Sequence, residues 1–271
     1  FSSGDLIRIF NKNTSIEDMN FNQSNRNLLN KSTYQLPRQK SCAVVGNSGI
    51  LLNSSCGEEI DSNDLVIRCN IPDVWNYIKD VGNKTDINII FQRTMRDLYY
   101  LLTNGTIAHY MLPTRLHIVN NTILWYPESF RSERVTANTA KVALRYLKYN
   151  MHLNFQFAIS ATHGFTGNLG RSIKVARPTT GMRAIVAALS LCEYVNVFGF
   201  YPYVFDQNGN KVLYHYYGTN RTIEDFVSSH DYSNEFAILQ QLHSNNVLRL
   251  VTGKAKAKTI ALVPIHNEVT I

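Results

Sequence analysis

From Cys42 onward, short apolar bursts alternate with segments of helical spacing, and few folds satisfy that alternation. The bursts Ala43–Val45, Leu65–Cys69, Ile87–Phe91, Thr122–Tyr126, Phe155–Ile159 and Val195–Phe198 read as strands. The segments Thr94–Leu102, Thr139–Tyr149, Thr180–Cys192 and Ser233–His243 return apolar residues at helical intervals. Two of them have marked starts: Thr180 stands before Gly181 and a long apolar stretch, and Ser233 is placed to cap the last. Strands separated by helices predict an α/β fold with a mostly parallel central sheet and helices on both faces. No internal repeat or low-complexity linker interrupts this pattern, so one domain is the simplest organisation. Residues 1–41 are polar, rich in Asn and Ser and weakly patterned, and they read as a stem-proximal or peripheral segment.

The chain has 271 residues, 44% of them hydrophobic, which is enough to build a full core without staples. No apolar run reaches the roughly 18 residues a bilayer crossing needs. With Phe1 first and no signal-like start, the expectation is a soluble piece whose targeting segment, if any, has been removed. Lys plus Arg is 27 against 20 for Asp plus Glu, giving a net charge of +7 that favours anionic partners. The densest run is Arg249, Lys254, Lys256 and Lys258, which reads first as a solvated face. No basic stripe lies on a nucleic-acid-binding motif, so nucleic acid is not an expected partner. The four cysteines form no C-x-x-C. Glycosylation sequons at Asn13, Asn22, Asn30, Asn53, Asn83, Asn104, Asn120 and Asn220 favour passage through the secretory pathway, where disulfides are permitted.

In an open parallel sheet, ligands bind beyond the carboxyl ends of the strands. The loops there are Gly46-Asn47-Ser48-Gly49, Asn70-Ile71-Pro72, Gln92-Arg93 and Gly199-Phe200-Tyr201-Pro202. Glycines in the first loop would let backbone N–H groups approach an anion, and Asn47 adds an amide that donates and accepts. Taken alone it is a strand followed by a glycine turn, and it is neither G-x-G-x-x-G nor a P-loop. Arg177-Pro-Thr-Thr-Gly181 opens the longest apolar helix, where threonine hydroxyls and a helix N-terminus form either an anion site or a simple cap. Tyr214-His215-Tyr216-Tyr217 reads as a packed edge or as a functional histidine. His230 precedes Glu235 by five residues, which suits a base with a carboxylate only if His230 lies in a turn before the helix. There is no H-E-x-x-H and no D-x-D, so no metal is expected.

In this order the four pieces resemble the sialylmotifs of the animal sialyltransferases. Cys42–Pro72, CAVVGNSGILLNSSCGEEIDSNDLVIRCNIP, is similar to the large motif. Arg177–Phe200, RPTTGMRAIVAALSLCEYVNVFGF, is similar to the small one. His215-Tyr-Tyr-Gly218 and His230-x4-Glu235 resemble the third and the very small motifs. The run Gly49-Ile-Leu51, Cys56, Lys79-Asp-Val-Gly82 and Tyr214–Tyr217 lean towards the α2,8 branch. The resemblance covers about residues 40–255, which it marks as the catalytic domain (42–255), with residues 256–271 as a C-terminal tail that matches nothing in the family.

The resemblance implies a single Rossmann-like domain of the GT-A-like sialyltransferase variant, in a Golgi type II membrane enzyme without its N-terminal anchor. Such an enzyme moves sialic acid from CMP-sialic acid, with inversion and no cofactor or metal, to a sialylated glycoprotein or glycolipid. Transfer in α2,3 or α2,6 linkage, or a weakly active donor-binding homologue, are the alternatives. Asn47, Ser48 and Asn70 would bind the donor. Thr179, Thr180 and Gly181 would contact donor or acceptor, and Gly199, Phe200 and Tyr201 would line the nucleotide pocket. Tyr214 and His215 would hold the phosphate, and His230 would be the general base, with Glu235 either orienting it or capping a turn. Cys42 and Cys192 would be bonded. Three departures stand out. Phe91-Gln92-Arg93 replaces the family's Asn-Pro-Ser, Tyr201 replaces the usual Trp, and the C-terminal partner of Cys56 is absent after Thr252-Gly253-Lys254.

Overall fold

Every apolar burst becomes a strand of one sheet in the computed structural model. It describes residues 6–21, 31–103, 113–128, 130–132, 135–160, 165–218, 220–225 and 230–254. The strands are β1 (Arg8–Phe10), β2 (Thr33–Tyr34), β3 (Gln39–Val45), β4 (Leu65–Cys69), β5 (Ile87–Ile89), β6 (Thr122–Tyr126), β7 (Arg131–Ser132), β8 (Val135–Thr136), β9 (Phe155–Ile159), β10 (Cys192–Phe198) and β11 (Arg249–Val251). The helices are α1 (Gly57–Asp61), α2 (Ile78–Val81), α3 (Gln92–Thr103), α4 (Ala137–Arg145), α5 (Phe165–Ser172), α6 (Thr180–Leu191) and α7 (Tyr232–Ser244).

The main sheet has nine strands in the order β11-β10-β3-β4-β5-β6-β9-β1-β2. Every pair from β11 through β9 is parallel, whereas β1 runs antiparallel to β9 and β2 antiparallel to β1. Side chains alternate between two cores, as a two-residue period requires. Ala43, Val45, Val66 and Leu124 face a core with Met95 and Leu98 of α3 and Ala140, Ala143 and Leu144 of α4. Cys42, Val44, Ile67 and Trp125 face the other, with Met182, Ala184, Ile185 and Ala188 of α6 and Leu239 of α7. The expected architecture, a mostly parallel sheet covered on both faces, is the one observed.

Three differences have physical reasons. Residues 1–41, read as peripheral, carry β1, and Leu6, Ile7, Ile9 and Phe10 are fully buried. The five-residue run Leu6–Phe10 is too short to show a period inside a polar stretch, yet Arg8 and Ile9 pair with Ile159 and Ala158 and cover the flank of the sheet. β5 ends at Ile89, two residues before the expected Phe91, because Phe91 N–H turns to Asn70 Oδ1 at 3.1 Å. The cap of α7 is Asp231 rather than Ser233; its carboxylate accepts from Asn234 N–H at 3.1 Å. Residues 256–271, read as a tail, lie outside the described residues.

Cys42 and Cys192 form a disulfide between β3 and the start of β10, with Cα atoms 5.9 Å apart and 150 residues between them in sequence. Cys56 and Cys69 are buried thiols. The Cys56 thiol lies 3.7 Å from Gly253 O, just past β11, so the place of the missing partner is filled by backbone. The expected charge run is broken at its first member, because Arg249 pairs with Glu59. A bridge across so long a loop removes entropy from the unfolded chain, so Cys42→Ala with Cys192→Ala should lower stability by about 2–5 kcal/mol. Chemical denaturation checks this, and an unchanged midpoint would remove the bridge from the stability account.

Candidate functional site

Chain order reverses between β3 and β10, since β4 to β6 extend from one side of β3 while β10 and β11 lie on the other. A crevice opens where neighbouring strands send their connections in opposite directions, and this is where open α/β sheets bind ligands. Here the ends of β3 and β10 nearly touch. Gly46 N–H donates to Phe198 O at 2.7 Å, and Ser48 N–H to Gly199 O at 3.1 Å. A Cβ on Gly46 would stand 2.4 Å from Gly199 O, so only glycine fits.

Asn47 follows directly. Its carbonyl accepts from Tyr216 N–H at 2.8 Å and its Nδ2 donates to Cys69 O at 3.1 Å. Its Oδ1 is buried and has no hydrogen-bond partner among the described residues. A buried unpartnered acceptor costs about 1–3 kcal/mol, which a ligand donor would recover. Ser48 is engaged within its own loop: its hydroxyl donates to Tyr201 O and accepts from Ile50 N–H, both at 3.3 Å.

Asn70 ends β4 with φ +61°, followed by Ile71 at φ +53°. A β-branched residue in the left-handed region is strained, and such strain concentrates at functional turns. Asn70 Oδ1 accepts from Phe91 N–H at 3.1 Å and Thr94 Oγ1 at 3.0 Å, which leaves its Nδ2 as the group to offer a ligand. Of the three residues replacing Asn-Pro-Ser, Phe91 packs its ring 4.3 Å from the Arg183 guanidinium carbon, Gln92 starts α3, and Arg93 pairs with Asp97 at 4.0 Å.

The Thr179–Gly181 segment is both a cap and a clasp. Thr179 Oγ1 accepts from Met182 N–H at 3.1 Å. Glu235 of α7 accepts from Thr179 N–H at 2.7 Å and from the Thr179 hydroxyl at 2.6 Å. Burial raises the Glu235 carboxyl pKa, while the Thr179 bonds and the nearby His230 and Arg183 pull it down. Thr180 begins α6, and a Cβ on Gly181 would stand 2.2 Å from Phe200 Cε1, so the Phe200 ring seats on the first turn. Tyr201 directs its hydroxyl to Phe205 O at 3.0 Å and its ring edge to Phe236 at 5.7 Å.

The histidines stand on linked segments. His215 is sandwiched between Tyr214 at 4.4 Å and Tyr217 at 5.3 Å. Burial, then the Arg115 charge, pushes the His215 pKa down to about 4. Tyr214 OH meets Tyr232 OH at 2.7 Å, and the Tyr232 ring lies 5.8 Å from His230. Burial also raises the Tyr214 phenol pKa, so it stays a neutral donor. His230 Nδ1 is 2.7 Å from Arg177 O. A carbonyl only accepts, so Nδ1, which faces it, carries a proton. The group that orients His230 is therefore the Arg177 carbonyl, and Glu235 serves the Thr179 clasp instead. Asn47, His215 and His230 are thus joined through Tyr216, Tyr214 and Tyr232, while Asn47 and Asn70 flank the end of β4 through Cys69. Arg177 O, Tyr232 and Arg115 escaped sequence reasoning, the first because a carbonyl has no sequence signal.

The model of glycosyltransferase family 29 (sialyltransferase) matches residues 6–247. The chain is 31% identical over 245 residues to an alpha-N-acetylneuraminide alpha-2,8-sialyltransferase from Xenopus tropicalis, covering 88% of this chain and 68% of that protein. It is 33% identical over 232 residues to alpha-2,8-sialyltransferase 8E from Rattus norvegicus, covering 81% of this chain but only 57% of that protein. Among solved structures, a mammalian sialyltransferase superposes with a TM-score of 0.52 at 20% identity, over 80% of this chain and 70% of that one. A mammalian sialyltransferase in complex with Gal-beta-1-3GalNAc-ortho-nitrophenol gives 0.51 at the same identity and the same coverage. These two likenesses speak to the fold. With its sequence matched over nearly all of the described residues, the chain belongs to glycosyltransferase family 29, the sialyltransferases.

Proposed function

We propose that this chain transfers sialic acid from CMP-sialic acid to the 8-hydroxyl of a terminal sialic acid, with inversion and without a cofactor. The observation that carries the reading is His230: Nδ1 is tied to Arg177 O, which fixes the ring and assigns proton acceptance to Nε2, on a segment joined through Tyr232 and Tyr214 to His215. The likeness to two α2,8-sialyltransferases supports the linkage.

In the step proposed, the acceptor oxygen forms a bond to the anomeric carbon as the bond from that carbon to the phosphate oxygen breaks. The hydroxyl proton passes to His230 Nε2, and CMP leaves with the electron pair. A phosphate is a stable leaving anion, so hydrogen bonding rather than a strong acid suffices. His215 and the Tyr214 hydroxyl are assigned to that phosphate. Asn47 Oδ1 and Asn70 Nδ2 are assigned to the nucleotide and its attached sugar. Thr180 and Gly181 contribute the α6 N-terminus, whose dipole favours negative charge. Gly199, Phe200 and Tyr201 form the nucleotide wall. Ser48 and Thr179 act by holding the loops, since their hydroxyls are already engaged. Among the described residues no group of three or more His, Cys, Asp or Glu is placed to hold a metal ion.

We assign the chain to the Golgi lumen. The Cys42–Cys192 disulfide suits an oxidising compartment, and the sequon residues Asn13, Asn53, Asn83, Asn120 and Asn220 are all exposed. The sequons at Asn22, Asn30 and Asn104 lie outside the described residues. Among the described residues no helix is long and apolar enough to cross a membrane.

Incubation with CMP-sialic acid and glycans ending in galactose, N-acetylgalactosamine or sialic acid, read by mass spectrometry, tests the reading. Mass gain on the sialylated glycans is expected. Gain only on the other two would move the linkage to α2,3 or α2,6, and CMP release without transfer would make this a donor-binding homologue. His230→Ala should cut kcat by about a hundredfold or more while CMP affinity holds, the scale of a lost general base. Near-normal turnover would remove His230 from that role. Asn47→Ala should weaken CMP binding about tenfold, the worth of one hydrogen bond. Unchanged affinity on titration calorimetry would exclude Asn47 from the donor site.

His215 adds a pH dependence. Its pKa falls from an ordinary 6.5 to about 4 on folding, so between those values the unfolded chain binds the proton and the folded chain does not. Stability contributed by His215 is present above 6.5 and lost as the pH drops towards 4. Thermal denaturation of the ligand-free protein should show a steeper acid decline than His215→Asn. Parallel profiles would mean that His215 is not held neutral by its surroundings.

A further inference from the structure

Beside His215 stands a set of groups that the donor reading leaves unused. The short helix Pro113–Val119 brings Arg115 over the Tyr217 ring, 4.8 Å from its centroid. Arg115 also bonds the Tyr217 phenol, and its charge reaches His215 and Tyr216. Two residues further, His117 packs on Trp75 at 5.2 Å. Trp75 is nevertheless 53% exposed. Tyr77, on the same turn, meets Tyr216 edge-on at 5.1 Å, so this turn and the Tyr214–Tyr217 segment form one wall. Asp73, the acidic neighbour of Tyr77, Tyr216 and Tyr217, is buried and held by Asn76 Nδ2 at 2.9 Å.

The short helix that carries the Arg115 guanidinium also carries His117, on which the half-open indole of Trp75 packs, so one edge offers both groups. The pair has the chemistry of an anionic sugar site. A flat aromatic face accepts the C–H face of a pyranose, and a guanidinium matches a carboxylate with two parallel hydrogen bonds. We propose that Arg115 and Trp75 form the acceptor subsite, Arg115 taking the carboxylate of the terminal sialic acid and Trp75 the face of its ring. This rests on the sialylated-acceptor reading above. It explains why a permanent cation stands next to His215: an anionic acceptor must be held near an anionic donor, and Arg115 offsets their repulsion.

The test is steady-state transfer from CMP-sialic acid to α2,3-sialyllactose by the full chain, with CMP binding measured separately. Arg115→Gln should raise the acceptor KM about tenfold or more, since a charge-assisted bidentate contact is lost. Arg115→Lys should recover only part of it, because the ammonium keeps the charge and loses the fork. Trp75→Ala should raise the acceptor KM and Trp75→Phe restore it. CMP affinity measured without acceptor should change by less than the acceptor KM in Arg115→Gln. An unchanged acceptor KM, or a loss of CMP affinity as large as the rise in acceptor KM, in Arg115→Gln would overturn the subsite. Wild-type protein that sialylates lactose but not sialyllactose would overturn the acceptor reading and the subsite with it. Wild-type transfer to sialyllactose with an indifferent Arg115→Gln would overturn the subsite alone.

Discussion

The close approach of two backbones at the reversal of strand order governs the rest of the architecture. Gly46 and Gly199 meet with no room for a side chain between them. Their contact draws the loops after β3 and β10 together, and each loop then spends its polar groups on the other. Ser48 bonds Gly199 and Tyr201, and Asn47 bonds Tyr216 through its carbonyl. Among the buried polar atoms of these loops that lack a partner are Asn47 Oδ1 and the Tyr216 hydroxyl. Loops tied to each other by backbone bonds hold such groups in place, which lowers the ordering cost of binding.

A second constraint fixes the opposite wall. His230 lies on the segment entering α7, Arg177 and Thr179 on the one entering α6. Two links five residues apart on α7's side, His230 to Arg177 O and Glu235 to Thr179, lock the segments against each other. Hydrogen bonds to a carboxylate contribute about 1.5–3 kcal/mol each when well formed. A ring held by one contact could pivot, whereas one whose segment is also clasped five residues on is held more firmly. Glu235 thus fastens the entry of α7 to Thr179 rather than bonding the His230 ring.

Much of this was legible in the sequence because the relevant signals are periodic or clustered. β4, β6 and β9 fall where the apolar bursts lie, and α6 begins at Thr180 as the threonine-glycine start indicates. β1 was not legible, since four apolar residues around Arg8 in a polar stretch have no period to reveal and their burial depends on β9, far away in sequence. The shortened β5 depends on Asn70 capturing Phe91 N–H, a tertiary bond with no local trace. In the site, the histidines and asparagines could be named beforehand, but their partners could not. Arg177 contributes a carbonyl, Tyr232 a hydroxyl, and Arg115 arrives on a turn that nothing in its own neighbourhood distinguishes.

The surplus positive charge also reads differently in three dimensions. Arg145 pairs with Glu17, Arg249 with Glu59 and buried Arg183 with Glu128, so these cations are spent inside the protein's own ion pairs. Arg68 is fully buried and bonds the backbone of Lys84. Arg115 and His215 form an unequal pair against Tyr217. Burial, then the Arg115 charge, holds the His215 pKa down at about 4. An anion reaching His215 would oppose that shift, because its charge favours the imidazolium that burial disfavours. A second cation beside Arg115 would then form together with the anion that balances it, which limits the repulsion between two like charges.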